Sequence, residues 1–318
     1  MNQELCRKLL YFLNNYSKKL EHENKSINTI KSYKNTINQF IDFISTHSEE
    51  ISLETLKPSI IYSFFDYKEK LLQKQGNLKT GTKKLVTTHL KTFFTFIEFE
   101  GDNLLDFTRL FKGIKFKKDK RVPPSLDQKS KQSLLNEIAK KIDRNNDYVA
   151  FRDSLIIKVM IFAGLRISEV LQLKFKSFVN EDEEIYSFMV IGKGGKPRIV
   201  YIEKHLIDDE LSELLLTKSP DDYICTSKNG KIVPRQNVDK LLRAFCQRAN
   251  ISPTSAHKLR HTFGNNFSNE HGGNIVHLQE ILGHGDVRTT MIYVNPRQED
   301  VKRGFIQAFN LKSTNIKN

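Results

Sequence analysis

Between residues 26 and 44 the apolar side chains fall at Ile30, Tyr33, Ile37, Phe40, Ile41 and Ile44. These positions repeat as i, i+3, i+7, i+10, i+11 and i+14, which places them on one face of an α-helix. A helix with such a stripe is stable only when the stripe is covered, so the chain around it has to supply partners. Three neighbouring segments do. Leu5, Leu9, Phe12, Leu13 and Tyr16 form a stripe over residues 2–20. Pro58, suited to a first helical turn, opens a segment with Ile61, Phe64, Phe65, Leu71 and Leu72 inside and Gly76 at its end. A fourth stripe uses Leu85, Val86, Leu90, Phe93, Phe94 and Ile97 between Thr82 and Glu98, and Gly101 follows it. Four amphipathic helices with short connections make a compact helical domain, expected over residues 1–111.

The pattern breaks after Phe111. Lys112, Lys115, Lys117, Lys118, Lys120 and Arg121 share the next stretch with one acid, Asp119, before the stiff pair Pro123-Pro124. Residues 112–125 therefore read as a basic interdomain linker, and the six cations as contacts for a polyanion. A second domain is expected over 126–318. Its helices are expected at 127–142, 147–163, 204–216, 236–249, 257–270, 274–282 and 286–293, with a further helix starting at Leu165. Residues 185–191 and 198–202 read as two strands joined by the glycine-rich turn Gly192-Lys-Gly-Gly-Lys-Pro197. The fold class is mainly α with a small β-hairpin, an α+β arrangement.

Composition narrows the partner. Fifty-one Lys and Arg against 37 Asp and Glu leave a net charge of +14, and the pI is near 9.5. Such a surplus suits nucleic acid or an anionic membrane surface. No apolar run approaches the ~20 residues of a membrane span, no basic amphipathic anchor stands out, and the polar N-terminus does not read as a signal peptide. The three cysteines, Cys6, Cys225 and Cys246, have no metal-ligand spacing and fit a reduced, cytoplasmic protein.

Four boxes in the second domain carry chemistry. Ala163-Gly-Leu-Arg166-Ile-Ser-Glu169 puts Arg166 and Glu169 three apart, on one helical face; alone this reads as a surface ion pair. Lys193 sits at the tip of the hairpin in Gly192-Lys-Gly-Gly-Lys196, which is not a Walker loop and alone reads as a solvated turn. His257-Lys-Leu-Arg260-His261 again pairs two groups at i, i+3. His257 and His261 also have the i, i+4 spacing of a zinc site, but the glutamate of H-E-x-x-H is missing and Lys258 takes its place, which disfavours metal. The fourth box runs from Leu282-Gly-His284 to Tyr293, where the histidine could cap a helix and the tyrosine could pack. Together the boxes offer Arg166, Arg260, Lys193, His257, His284 and Tyr293 without a carboxylate cluster for Mg²⁺. That set suits neutralising the nonbridging oxygens of a pentacoordinate phosphate, with bidentate arginines as donors. A tyrosine, with a free pKa near 10, needs an electropositive setting or a base to act there.

In order, spacing and flanking residues, A-G-L-R-I-S-E, G-K-G-x-K-x-R, H-x-L-R-H-T-F and L-G-H-x(8)-Y resemble the tyrosine recombinases, the phage-integrase and Xer family. The resemblance covers about 126–300 well and the first helices more loosely, as a SAM-like core-binding domain. It implies that Arg166 and Arg260 clamp the scissile phosphate of double-stranded DNA and that Lys193 protonates the leaving 5′ oxygen. It also implies acid–base exchange between His257 and the nucleophile, a hydrogen bond from His284 to a phosphate oxygen, and attack by Tyr293 to form a 3′-phosphotyrosyl link. Glu169 matches the acidic position that supports the active-site helix. No ATP, metal or other cofactor is implied. A tetramer on two DNA sites is implied, with residues 297–310 (Val301, Phe305, Ile306 and Phe309 on one face) as a tail helix for a neighbour or for its own domain. One departure is Gly264, where the family usually has alanine or serine. The expected function is site-specific recombination, of the Xer kind that resolves chromosome dimers during partition and the cell cycle, where a septal DNA translocase is a further expected partner. Alternatives are the integrase or transposase of a mobile element, a type IB topoisomerase-like nicking–closing enzyme, and a DNA-binding accessory protein with a decayed site.

Overall fold

The computed structural model describes residues 2–71, 78–101, 105–116, 124–192, 194–270, 274–284, 286 and 289–293. It divides into two compact units, Met1–Lys120 and Arg121–Asn318.

In the first unit, α1 (Gln3–His22), α2 (Ile27–Thr46), α3 (Ser59–Leu71) and α4 (Thr80–Glu100) are joined by a short α5 (Thr108–Phe111). The stripes read from the sequence meet in one core, where Leu9, Ile37, Phe40, Ile61, Phe64, Phe93 and Phe94 are fully buried. Phe40 packs edge-on to Phe64 and Phe94, at centroid distances of 5.2 and 5.8 Å. These perpendicular pairings set the positive ring edge against the negative ring face. Ser26 starts α2 by accepting a hydrogen bond from the Thr29 N–H, which satisfies one of the orphan donors of a first turn. Ile114 and Phe116, within the stretch read as linker, pack against this core, and Lys112 and Lys115 beside them are exposed. Lys117, Lys118, Lys120 and Arg121 lie outside the described residues.

The second unit is organised around α7 (Tyr148–Phe162), which buries residues on every side and packs against α6 (Gln128–Asn145), α9 (Asp208–Leu215) and α11 (Ala256–Asn265). Asp127 and Asp147 cap α6 and α7 through their side chains. The short α8 (Ile167–Val170) follows α7, and α10 (Arg235–Arg248) precedes α11. The sheet has three antiparallel strands in the order β1 (Val179–Asn180), β2 (Ile185–Ile191) and β3 (Pro197–Glu203). The β2–β3 register runs from Ile185 opposite Glu203 to Ile191 opposite Pro197.

Four expectations need correction. The two-strand hairpin gains β1, too short to show any alternation. The helix expected at 204–216 is a 3-10 turn, Lys204–Leu206, followed by α9. The helix expected over 257–270 is α-helical only to Asn265 and continues as a π-helix over Asn266–Glu270. In the segment expected as a helix over 286–293, the described part ends in a 3-10 turn, Met291–Tyr293, after α12 (Ile275–Leu282). Among the described residues, no helix is long and apolar enough to cross a membrane. The proposed tail helix, 297–310, lies outside them.

Candidate active site

Glu169 is the centre of a buried charge cluster. Gly164, at φ +63°, turns the chain out of α7, a conformation that favours glycine. A Cβ there would also meet the Phe263 ring at 2.5 Å. The turn leaves Arg166 as the N-cap of α8 and Glu169 at its third position. Glu169 reaches back and accepts from the Arg166 N–H at 2.8 Å and from the Arg166 guanidinium at 2.8 Å, in the manner of a capping glutamate. From β3, Arg198 places both terminal nitrogens on the same carboxylate, each at 2.8 Å. Arg260 approaches to 3.8 Å. Burial pushes the Glu169 pKa up, but the hydrogen bonds from Arg198 and the Arg166 backbone outweigh it and leave the group below its ordinary value.

The same three arginines close the end of α12. Arg198 Nε donates to the Ile281 carbonyl at 2.6 Å, Arg260 Nη2 to the Leu282 carbonyl and Arg166 Nη2 to the Gly283 carbonyl at 3.4 Å. Carbonyls of a last helical turn lack helical partners and carry the negative end of the helix dipole, so cations satisfy them twice over. Arg260 also donates to the Gly164 carbonyl at 2.8 Å and is 2 % exposed. Burial, with Arg166 close by, lowers its pKa to about 9, and Glu169 opposes the shift.

Gly283, in the left-handed conformation, ends α12 and directs the chain into His284. His284 Nδ1 meets Thr290 Oγ1 at 2.9 Å, and its ring stacks with that of Tyr293 at 6.4 Å between centroids. Burial, then Arg260 and Arg166, lowers the His284 pKa to about 4. Tyr293 packs among Leu278, Leu282, Phe263, Phe267 and Ile275. Its ring lies so close to α11 that a Cβ on Gly264 would fall 2.9 Å from Cε1 and Cζ. Burial raises the phenol pKa while Arg260 and Arg166 pull it down.

The structure thus gathers Arg166, Glu169, Arg260, His284 and Tyr293. The hydrogen bonds run from His257 to Tyr293 by way of a further histidine. His261 stands between them, with Nδ1 2.6 Å from the Tyr293 hydroxyl and Nε2 2.9 Å from His257 Nε2. Lys193 lies outside the described residues, at a hairpin tip where Gly194 and Gly195 have φ of +80° and +75°. A cleft of about 1490 Å³ extends from Arg166 and His284 to Gly192, Gly194 and Lys196 of that hairpin. No group of three or more His, Cys, Asp or Glu side chains placed to hold a metal ion occurs among the described residues.

Sequence reasoning missed Arg198 and His261. Arg198 was readable: it shares the inward face of β3 with Val200 and Ile202, and a charge at an inward position demands a partner. His261 enters the sequence reading only as half of a metal pair, which Lys258 disfavours, and its place in H-x-L-R-H-T-F gives it no role.

Comparison with known proteins identifies relatives in sequence and in fold. The tyrosine recombinase XerH of Campylobacter jejuni is 26% identical over 88% of this chain and 78% of its own length. The tyrosine recombinase XerC of Staphylococcus epidermidis is 26% identical, over 92% and 94%. Among solved structures, XerH bound to its difH substrate before cleavage superposes with a TM-score of 0.71 at 24% identity, covering 92% of this chain and 82% of that one. A lambda integrase dimer on a core site gives 0.66 at 16%, covering 91% and 77%. The motif-bearing residues 125–300, more than half of the chain, match the phage integrase family throughout, and the protein belongs to that family.

Proposed function

We propose that the chain is a site-specific DNA recombinase that cleaves and rejoins strands through a 3′-phosphotyrosyl intermediate. The observation that carries this is the convergence of Arg166, Arg260, His284 and Tyr293 at the C-terminal end of α12. A phosphodiester entering the cleft would meet Arg166 as a bidentate donor. Arg260 would be its second donor and His284 a third. Tyr293 would attack phosphorus, and Lys193, from the hairpin, would give the leaving 5′ oxygen its proton. Conserving the phosphoester in the tyrosyl link lets a 5′-hydroxyl of a partner strand reverse the step. Glu169 would hold the arginines, with no contact to DNA.

The likeness to XerH and XerC along most of the chain supports an Xer-like role, resolution of chromosome dimers in the cytoplasm, by a tetramer that holds two DNA sites. The helical unit, together with the linker cations Lys112, Lys115, Lys117, Lys118, Lys120 and Arg121, would hold the DNA backbone. A nicked duplex selected from a random library by binding tests this reading. Wild-type protein is expected to be trapped on it covalently through Tyr293. Tyr293→Phe is expected to bind equally and form no adduct; an adduct with that variant, or none with the wild type, removes the proposal. Exchange of strands between two such duplexes separates a recombinase from a nicking–closing enzyme.

A further inference from the structure

We propose that His261 is a catalytic residue of this site: it takes the proton of the Tyr293 hydroxyl and passes one to His257 at the surface. The inference rests on the recombinase reading and refines it: the resemblance implies that His257 exchanges the phenolic proton, and His261 stands between the two groups.

Tyr293 is 2 % exposed and His261 8 %, so the hydroxyl cannot shed its proton straight into bulk water. His261 Nδ1 lies 2.6 Å from that hydroxyl, within the distance of a strong hydrogen bond. The other ring nitrogen, Nε2, lies 2.9 Å from His257 Nε2, and His257 is exposed. Helix geometry produces the pair, since residues four apart on α11 stand over one another. Ser255 caps α11 through its side chain, accepting from the Lys258 N–H, which fixes the first turn that carries His257. One assignment of protons fits both contacts: the phenol donates to His261 Nδ1, His261 Nε2–H donates to His257 Nε2, and His257 Nδ1 carries the remaining hydrogen.

As Tyr293 Oη forms its bond to phosphorus and the bond from phosphorus to O5′ breaks, the Oη proton moves to His261 Nδ1. The Nε2 proton of His261 moves to His257, which becomes an imidazolium open to solvent. Lys193 supplies the proton of the leaving oxygen, and no external reductant, oxidant or metal enters. Rejoining runs the same transfers backwards. Charge decides the timing. Burial first, then neighbouring charge, holds both imidazoles neutral: His261, beside His257 and Arg260, is lowered to about 4, and His257, beside Arg260 and Arg166, also lies below its ordinary value. An incoming phosphate offsets the nearby cationic charge, so the imidazoles become more basic when substrate is present.

The amide oxygen of His261→Asn takes the place of Nδ1 and can hold the phenol but cannot accept its proton. On the nicked duplex that wild-type protein cleaves, this variant is expected to bind normally and to form adduct at least about 100-fold more slowly. Its rate should climb with pH up to about 9 as hydroxide substitutes for the imidazole, while the wild-type profile stays flatter. The groups facing His261 that could shape these profiles are His257, Arg260, Arg166, His284 and Tyr293. A variant with the wild-type rate and pH profile overturns the relay and leaves the recombinase reading intact. A wild type that forms no adduct removes both. Without DNA, ¹⁵N spectra of the full chain should show His261 neutral and protonated at Nε2; a proton resident on Nδ1 overturns the relay whatever the protein does with DNA.

Discussion

Glu169 holds more of this site than any residue that would touch substrate. The residue is 4 % exposed, and its carboxylate balances Arg166 and Arg198 directly, with Arg260 at 3.8 Å. Removing it leaves buried cations without a counter-charge, a change that costs about 3–5 kcal/mol. Glu169→Ala is therefore expected to lower the urea midpoint of the second unit sharply. Arg198→Lys should also destabilise, since an ammonium cannot span two carboxylate oxygens and the Ile281 carbonyl as the guanidinium does. The histidines set a pH window of their own. His261 and His284, lowered to about 4 in the folded chain, bind protons near 6.5 when unfolded. The unfolded state gains protons first, so stability falls as pH drops below about 6.5, and the loss is complete only below about 4. Thermal unfolding followed from pH 7 to 4.5 should show a steady decline, shallower in His284→Gln.

At the scale of elements, the helices of the first unit were legible because each has to bury a stripe, and the stripes of α2 and α4 interlock at Phe40 and Phe94. Phe40→Ala is expected to cost about 3–5 kcal/mol, read as a lowered denaturant midpoint for that unit. In the second unit the legible parts were again periodic ones, such as β2 and β3. The segment after α12 was misread as a helix, whereas its Met291 and Ile292 are exposed on a 3-10 turn. What shapes that segment is tertiary: Thr290 against His284, and Tyr293 against α11. No local period encodes such contacts. The residues of the site were readable as motifs, whereas the wiring among them was not. Glu169 shows the difference: its spacing from Arg166 was visible, but its main partner, Arg198, comes from a strand 29 residues away.

For the whole molecule, a charge of +14 makes the proposed DNA binding strongly dependent on salt. With 6–10 phosphate contacts, affinity should fall by about 10³–10⁵ between about 50 and 200 mM salt. Replacing the exposed Lys112 and Lys115 by glutamine should weaken binding to all sequences alike and lower the log–log salt slope by about 2, measured by fluorescence anisotropy. Cleavage itself is expected to proceed unchanged in EDTA, because arginines rather than a divalent cation would neutralise the phosphate.

The contact between Gly264 and Tyr293 bears on how such a protein stays harmless. A phenol able to break DNA is a hazard anywhere but at its target. Here the ring is parked against bare backbone, in a slot that exists because residue 264 lacks a side chain. Where alanine or serine stands instead, as the resemblance implies for the family, the added Cβ would keep the ring from settling so deeply. Residue 264 thus sets how deep the ring sits, to within one methyl group, and Gly264→Ala should leave Tyr293 more open to a phenol-selective reagent in the DNA-free protein.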